Sequence, residues 1–147
     1  MQIINVTRTI IILLFGILTG CSTIATYDQA AYANATNAKV DTLALMDKAT
    51  GSYSNYSKEI AALHLELDKA YEYDKGRPLN HYTISSWDVL RGDNGILNRF
   101  LTAWKTSGPQ SKTFIEDKKG HVGREFDEII QLESGKNKKP QNQSSQN

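Results

Sequence analysis

Residues 53–70, YSNYSKEIAALHLELDKA, decide the fold that we predict for this chain of 147 residues. The apolar side chains of this stretch recur at alternating steps of three and four residues, and they are Tyr53, Tyr56, Ile60, Leu63, Leu67 and Ala70. A repeat of this length places side chains on one face of an α-helix, whereas a half-buried strand would alternate every two residues. The charged residues of the stretch all lie off this face, so the stretch predicts an amphipathic helix with one apolar stripe.

A helix is also predicted before the stripe, over residues 26–50. Its many alanines favour the helical backbone. Small residues fall on one narrow face, which comprises Ala31, Ala35, Ala38, Thr42, Leu45 and Ala49. Such a face allows a neighbouring helix to approach closely. Gly51 offers a stop after this helix, and so short a link predicts that the two helices form an antiparallel pair.

The region after the stripe is less regular. Residues 75–78, KGRP, end the second helix because glycine permits a turn and proline cannot continue the helix. Within residues 79–93, the segment 81–84 could form a short strand, although no neighbouring segment would pair with it. Alternatively, Ser85 or Ser86 begins a short helical turn.

Two further helices are predicted in the second half of the chain. The first covers residues 94–105. The last covers residues 111–133 and is either continuous or broken near Gly120, since glycine weakens a helix by about 1 kcal/mol relative to alanine. Residues 134–147 are too polar to pack. The fold class is therefore all-α, an antiparallel helical bundle of about four helices.

The N-terminal region has the composition of a secretory signal. Arg8 precedes residues 10–18, IIILLFGIL, a run too short to cross a bilayer as a helix. The segment Leu18-Thr19-Gly20-Cys21 follows, and it resembles the lipobox of bacterial lipoproteins. That resemblance implies cleavage before Cys21 and attachment of lipid to Cys21, which is the only cysteine of the chain.

The resemblance also implies a location and a domain organisation. Ser22 after the lipidated cysteine implies the outer membrane of the cell envelope, with the protein facing the periplasm. A tether of about five residues would hold the folded part close to the membrane surface. The predicted parts are a signal peptide (1–20), a lipidated cysteine with a short tether (21–25), a helical bundle (26–133) and a disordered basic tail (134–147).

Composition and motifs argue against several functions. The net charge is +1 and the positive excess is confined to the tail, so we predict no binding to nucleic acid. Hydrolase and phosphate-binding motifs are missing from the sequence, which predicts a protein that is not an enzyme and needs no cofactor. His64 and Asp68 have the spacing of metal ligands on a helix, but His64 adjoins the apolar stripe. A boundary histidine explains it better, and no metal site is predicted.

Aromatic residues suggest a surface for a partner. Tyr71, Tyr73, Tyr82 and Trp87 flank the turn at residues 76–78. They form either an exposed aromatic end, of the kind that protein interfaces favour, or a plug in which Tyr82 and Trp87 close the bundle.

The predicted function is a non-catalytic binding or assembly role with another envelope protein. The partner would be met through this aromatic end or through the alanine face of the first helix. One alternative is an immunity or exclusion lipoprotein that inhibits a foreign protein. Another is a cryptic enzyme or metal-binding protein that uses His64 and Asp68.

Overall fold

The computed structural model describes residues 24–136, which contain five α-helices and no strand. The helices are α1 (Gln29–Asp47), α2 (Ser57–Lys75), α3 (His81–Arg91), α4 (Ile96–Ser107) and α5 (Lys112–Gly135). Short 3-10 turns, Lys48–Thr50 and Tyr53–Tyr56, join α1 to α2. The all-α helical bundle is confirmed. The predicted signal peptide, Cys21 and most of the predicted tail lie outside the described residues.

The apolar stripe of α2 lies in the core. Ile60, Leu63, Leu67 and Ala70 are buried. The two tyrosines that begin the stripe lie in the 3-10 turn instead, and both are half-buried against Trp104, with ring centroids 5.3 Å (Tyr53) and 5.8 Å (Tyr56) from it.

The alanine face of α1 is buried as well, and it packs mainly against α5 and α2. Ion pairs join Lys39 to Asp127 and Lys119 to Asp47 along the edge of this contact. Since the later residue of α1 pairs with the earlier residue of α5, the two helices are antiparallel. The expectation that a partner protein meets the alanine face is wrong, because helices of the same chain cover it.

Most of residues 79–93 form one helix, so the strand considered for residues 81–84 is wrong. The helical alternative is right, but its start at Ser85 or Ser86 is wrong. Helix α3 begins at His81, four residues before Ser85. Its buried residues Thr83, Trp87 and Leu90 follow one another at steps of four and three. Because Thr83 is polar, the apolar residues of this segment alone do not show the helical repeat.

The last helix is continuous across Gly120. Buried residues on both sides of the glycine, Ile115 before it and Val122, Phe126 and Ile129 after it, fix the two halves against the core. The hydroxyl of Ser111 accepts the Phe114 N–H (3.2 Å) and caps the start of the helix. Helix α5 extends to Gly135, and Lys136 beyond it is packed, so the tail begins later than residue 134.

Candidate functional site

Residues 25–28, which precede α1, already contact the rest of the bundle. The Ala25 N–H donates to the Leu79 carbonyl (3.1 Å), and Ala25 is buried. The Thr26 carbonyl accepts a hydrogen bond from the Arg77 guanidinium. Asp28 caps α1 by accepting the Ala31 N–H (2.9 Å). We call this part of the bundle, residues 24–28, 76–83 and 132–136, the tether end.

Leu79 has an unusual backbone in the tether end. Its φ of 60° lies in the left-handed region, and Leu79 is the one described residue other than glycine with a positive φ. A left-handed L-residue costs about 1–2 kcal/mol, and leucine has no local side-chain hydrogen bond to offset this cost. The side chain is half exposed, so core packing does not explain why leucine occupies the position.

A buried ion network lies beneath the tether end. Asp74 and Glu133 are almost completely buried, although carboxylates are rarely found inside proteins. One nitrogen of the Arg77 guanidinium contacts both, at 3.0 Å from Asp74 Oδ1 and 2.7 Å from Glu133 Oε2. This contact ties the end of α2 to the end of α5.

Lys136 completes the network. Its ammonium group forms an ion pair with Glu133 and donates to Asn80 Oδ1 (2.6 Å). The Thr83 hydroxyl donates to Glu133 Oε1 (3.0 Å). Two acidic and two basic side chains thus balance, and each acid has donors besides its ionic partner. Buried ion pairs of this kind are stable only when all their partners are present.

Trp87 belongs to this network and not to a surface. Its indole N–H donates to Asp74 Oδ2 (2.7 Å), and its ring meets the edge of Phe126 with centroids 6.0 Å apart. The side chain is completely buried. Including Trp87 in an exposed aromatic surface is therefore wrong; it plugs the bundle.

The three tyrosines of the expected aromatic end point to different neighbours. Tyr71 is half-buried and lies under the Arg91 guanidinium, 4.4 Å from its ring centroid. The Tyr73 hydroxyl donates to Asp28 (3.0 Å). Tyr82 is exposed beside His81, with ring centroids 4.1 Å apart. The structure does not bring these residues into one aromatic surface.

Asp28 in the tether end and Asp74 in the ion network beneath it have opposite pKa shifts. Burial raises the pKa of Asp74, and the hydrogen bond from Trp87 only partly opposes this. The hydrogen bond from the Ala31 N–H lowers the pKa of Asp28, assisted by the Tyr73 hydroxyl. Asp74 is therefore held at a cost in its charged form, whereas Asp28 is stabilised in its charged form.

The sequence analysis missed the ion network because it followed apolar residues only. Both buried acids nevertheless lie where a repeat of buried apolar residues would continue. Asp74 stands four residues after Ala70 and extends the stripe of α2 by one step. Glu133 stands four residues after Ile129 on the buried face of α5. An acidic residue at the position where the repeat of apolar residues would continue is therefore the sequence feature that indicates a buried acid.

His64 and Asp68 do not form a ligand pair. Asp68 is in an ion pair with Arg91, while His64 lines a separate shallow cleft with Tyr53 and Asp93. Among residues 24–136, no group of three or more histidines, cysteines or acidic residues could hold a metal ion.

A groove between α4 and α5 is the second feature of interest. It has a volume of about 350 Å³. Its apolar part consists of Ile96, Phe100, Phe114 and Val122, and its polar part of Arg99, Lys118 and His121. The Lys118 ammonium lies over the Phe114 ring, 5.3 Å from the centroid. Sequence reasoning missed this groove because its residues come from two helices and follow no motif.

Comparison of the chain with family models, with curated proteins and with solved structures finds no match. Across residues 24–136, no helix combines the length and apolar character needed to span a membrane.

Proposed function

We propose that this chain is a lipid-anchored protein of the bacterial cell envelope, held at the membrane surface by Cys21 and facing the periplasm, with a non-catalytic binding or assembly role. The observation that supports this proposal best is the lipobox-like segment Leu18-Thr19-Gly20-Cys21 at the end of the apolar run. The hydrogen bond from Ala25 to Leu79 adds that the bundle begins close to this segment. Ala25 is the fourth residue after Cys21, so a lipid on Cys21 lies within roughly 14 Å of the bundle. A bundle on so short a tether acts where it is anchored.

The buried acids are not placed to act as a general acid or base. A general acid or base needs access to its substrate and a proton that it can exchange. Asp74 and Glu133 are instead enclosed and engaged by basic partners and neutral donors. Their arrangement is that of a structural ion network.

The groove between α4 and α5 is the surface that we propose for the partner. It combines aromatic and aliphatic contacts with basic groups, which suits an apolar side chain next to an acidic one on the partner protein. Val122 in the groove lies eleven residues before Glu133 on α5, roughly 16 Å along the helix from the tether end. A membrane at the tether end would leave the groove open.

Mass spectrometry of the protein purified from bacterial membranes tests the anchor. The expected mass is that of a chain beginning at Cys21 with acyl groups attached, and Cys21→Ser should abolish both the acylation and the stable membrane association. An unacylated wild-type chain in the same membranes would contradict the proposal.

Crosslinking in native membranes tests the groove. We expect wild-type protein to capture one envelope protein, and Arg99→Glu to lose it through charge reversal at the groove. Lys58→Glu makes the same change in charge at an exposed position on α2, away from the groove, and should retain the partner. Equal capture by both variants, or capture of no protein by wild type, would overturn the assignment of this surface.

A further inference from the structure

We propose that the tether end is a membrane-docking surface, in which Ile24, Leu79 and Tyr82 insert among the lipid headgroups. The proposal rests on the lipid anchor proposed above and goes beyond it, because it fixes the orientation of the bundle. The tether limits the distance between the bundle and the membrane, but it does not determine whether the bundle stands on its tether end or lies on its side.

The exposed apolar residues of the tether end form one patch. Ile24, Leu79 and Tyr82 are 45%, 51% and 59% exposed. They line one small cleft of about 40 Å³, and the other residues that line it are Leu132, Asn80, Thr83 and Lys136. Single exposed apolar residues are common, but a group that surrounds the exit of the chain is not explained by the fold. Tyrosine also suits a membrane interface because its ring is apolar and its hydroxyl is polar.

The backbone of Leu79 supports the same assignment. Its left-handed conformation favours glycine or asparagine, yet an exposed leucine occupies the position. Strained residues persist mainly where function requires them. Contact with lipid would be such a function, because it requires a large apolar side chain at position 79.

The chain outside the described residues points to lipid as the occupant. The chain leaves the tether end twice, at Ile24 towards Cys21 and at Lys136 towards the tail. The first exit leads to the lipid anchor within three residues. The second leads within three residues to Lys138 and Lys139, and the tail contains no acidic residue. Lysines close to a bilayer are attracted to anionic headgroups.

The ion network makes the approach to a bilayer possible. Charged groups lose hydration near an apolar phase, and pairing with opposite charges offsets part of that cost. Arg77 and Lys136 balance Asp74 and Glu133, so this network presents no net charge to the membrane. It also fixes the ends of α2 and α5 and thereby holds the apolar patch in place.

Fluorescence quenching by brominated lipids tests the orientation. The acylated protein is placed in vesicles of phosphatidylethanolamine and phosphatidylglycerol, with bromine on the acyl chains, and carries either Tyr82→Trp or Val89→Trp. Both positions are exposed and lie on the same face of α3, and Val89 is about 10 Å further along the helix. Emission from wild type, whose two tryptophans are buried, is subtracted.

We expect the emission added by Tyr82→Trp to be lost and the emission added by Val89→Trp to be retained. Equal loss at both positions would mean that the bundle lies on its side, and no loss at either would mean that it stands away from the membrane. Either result would overturn the proposal. A mass spectrum of the same sample reports acylation, so failure of the anchor is recognised separately.

Leu79→Asn provides a variant that should fold well, because asparagine tolerates the left-handed backbone. In the Tyr82→Trp protein we expect it to raise the unfolding temperature and to reduce quenching by the brominated lipids. Unchanged quenching would contradict the role of Leu79. Shielding of Tyr82→Trp from aqueous iodide in native membranes, but not in vesicles without other proteins, would assign the patch to a protein partner instead.

Discussion

The two tryptophans of the bundle are buried in opposite ways. Trp87 lies near the tether end, where its N–H donates to a buried carboxylate of an ion network. Trp104 lies at the other end, where its N–H donates to the Gly51 carbonyl (2.8 Å) and its ring packs against Tyr53, Tyr56 and Phe100. One end is held by charges that depend on one another, and the other by ring contacts that are largely independent.

The largest expected effect comes from removing Arg77, the cation that contacts both buried acids. Arg77→Ala leaves two buried acids with Lys136 as their only basic partner in the network, and we expect a loss of about 3–5 kcal/mol in the free energy of unfolding. Asp68→Ala is the matched control, because it breaks the exposed ion pair with Arg91 and should cost less than about 1 kcal/mol. Urea denaturation of both variants measures the difference. Similar small losses would mean that the network does not stabilise the tether end.

Replacing each tryptophan by phenylalanine compares the two ends directly. Both variants lose a similar volume and one indole donor. Trp87→Phe also removes a donor from a buried carboxylate, so we expect a loss of about 2–3 kcal/mol, against about 1–1.5 kcal/mol for Trp104→Phe. Thermal unfolding followed by circular dichroism checks the order. A greater loss from Trp104→Phe would contradict the contrast between the ends.

The sequence predicts those helices whose buried faces show a regular repeat of apolar or small residues. The stripe of α2, the alanine face of α1 and the extent of the last helix follow from local patterns that the core then reinforces. The continuity of the last helix across Gly120 was left open by the sequence. The boundaries of these helices agree with the structure to within a few residues, apart from the 3-10 turn at Tyr53–Tyr56.

The tether end could not be predicted in the same way because its contacts join distant parts of the chain. Asp74 and Glu133 each have a basic residue three positions later, a spacing that is also common on solvated helix faces. The contact that closes the network is the one from Arg77 to Glu133, which are 56 residues apart. Trp87 was predicted to be a surface residue because its hydrogen-bond partner, Asp74, is an acid whose burial the sequence analysis did not recognise. The groove between α4 and α5 likewise exists only after the helices have packed.

The capping residue of α1 gives a smaller, pH-dependent test of the tether end. Asp28→Ala should cost about 1 kcal/mol at neutral pH. The pKa of Asp28 is lowered in the folded protein, so its contribution is fully present above the unfolded value of 3.8 and is lost as the pH falls through the folded value. The difference between wild type and variant should therefore shrink below that pH. A difference that stays constant into acid would contradict the charged cap.

A substitution away from both ends is expected to stabilise the bundle. Gly120 is exposed within the continuous part of α5, and a Cβ there would meet only the flexible end of Arg124 at 3.5 Å. Gly120→Ala should therefore raise the free energy of unfolding by about 1 kcal/mol. Denaturant titration measures the gain, and destabilisation would contradict an unbroken helix at this position.

The orientation of the bundle on the membrane is the central claim, and thiol labelling tests it most directly. Cys21 is the only cysteine in the chain, so in the acylated protein an introduced cysteine is the only free thiol. His81→Cys lies at the tether end, and Thr106→Cys lies at the end of α4, away from it; both positions are exposed. With a membrane-impermeant maleimide, reconstitution into vesicles should slow the labelling of His81→Cys several-fold and leave Thr106→Cys unchanged. Equal labelling rates for both variants, before and after reconstitution, would contradict the orientation.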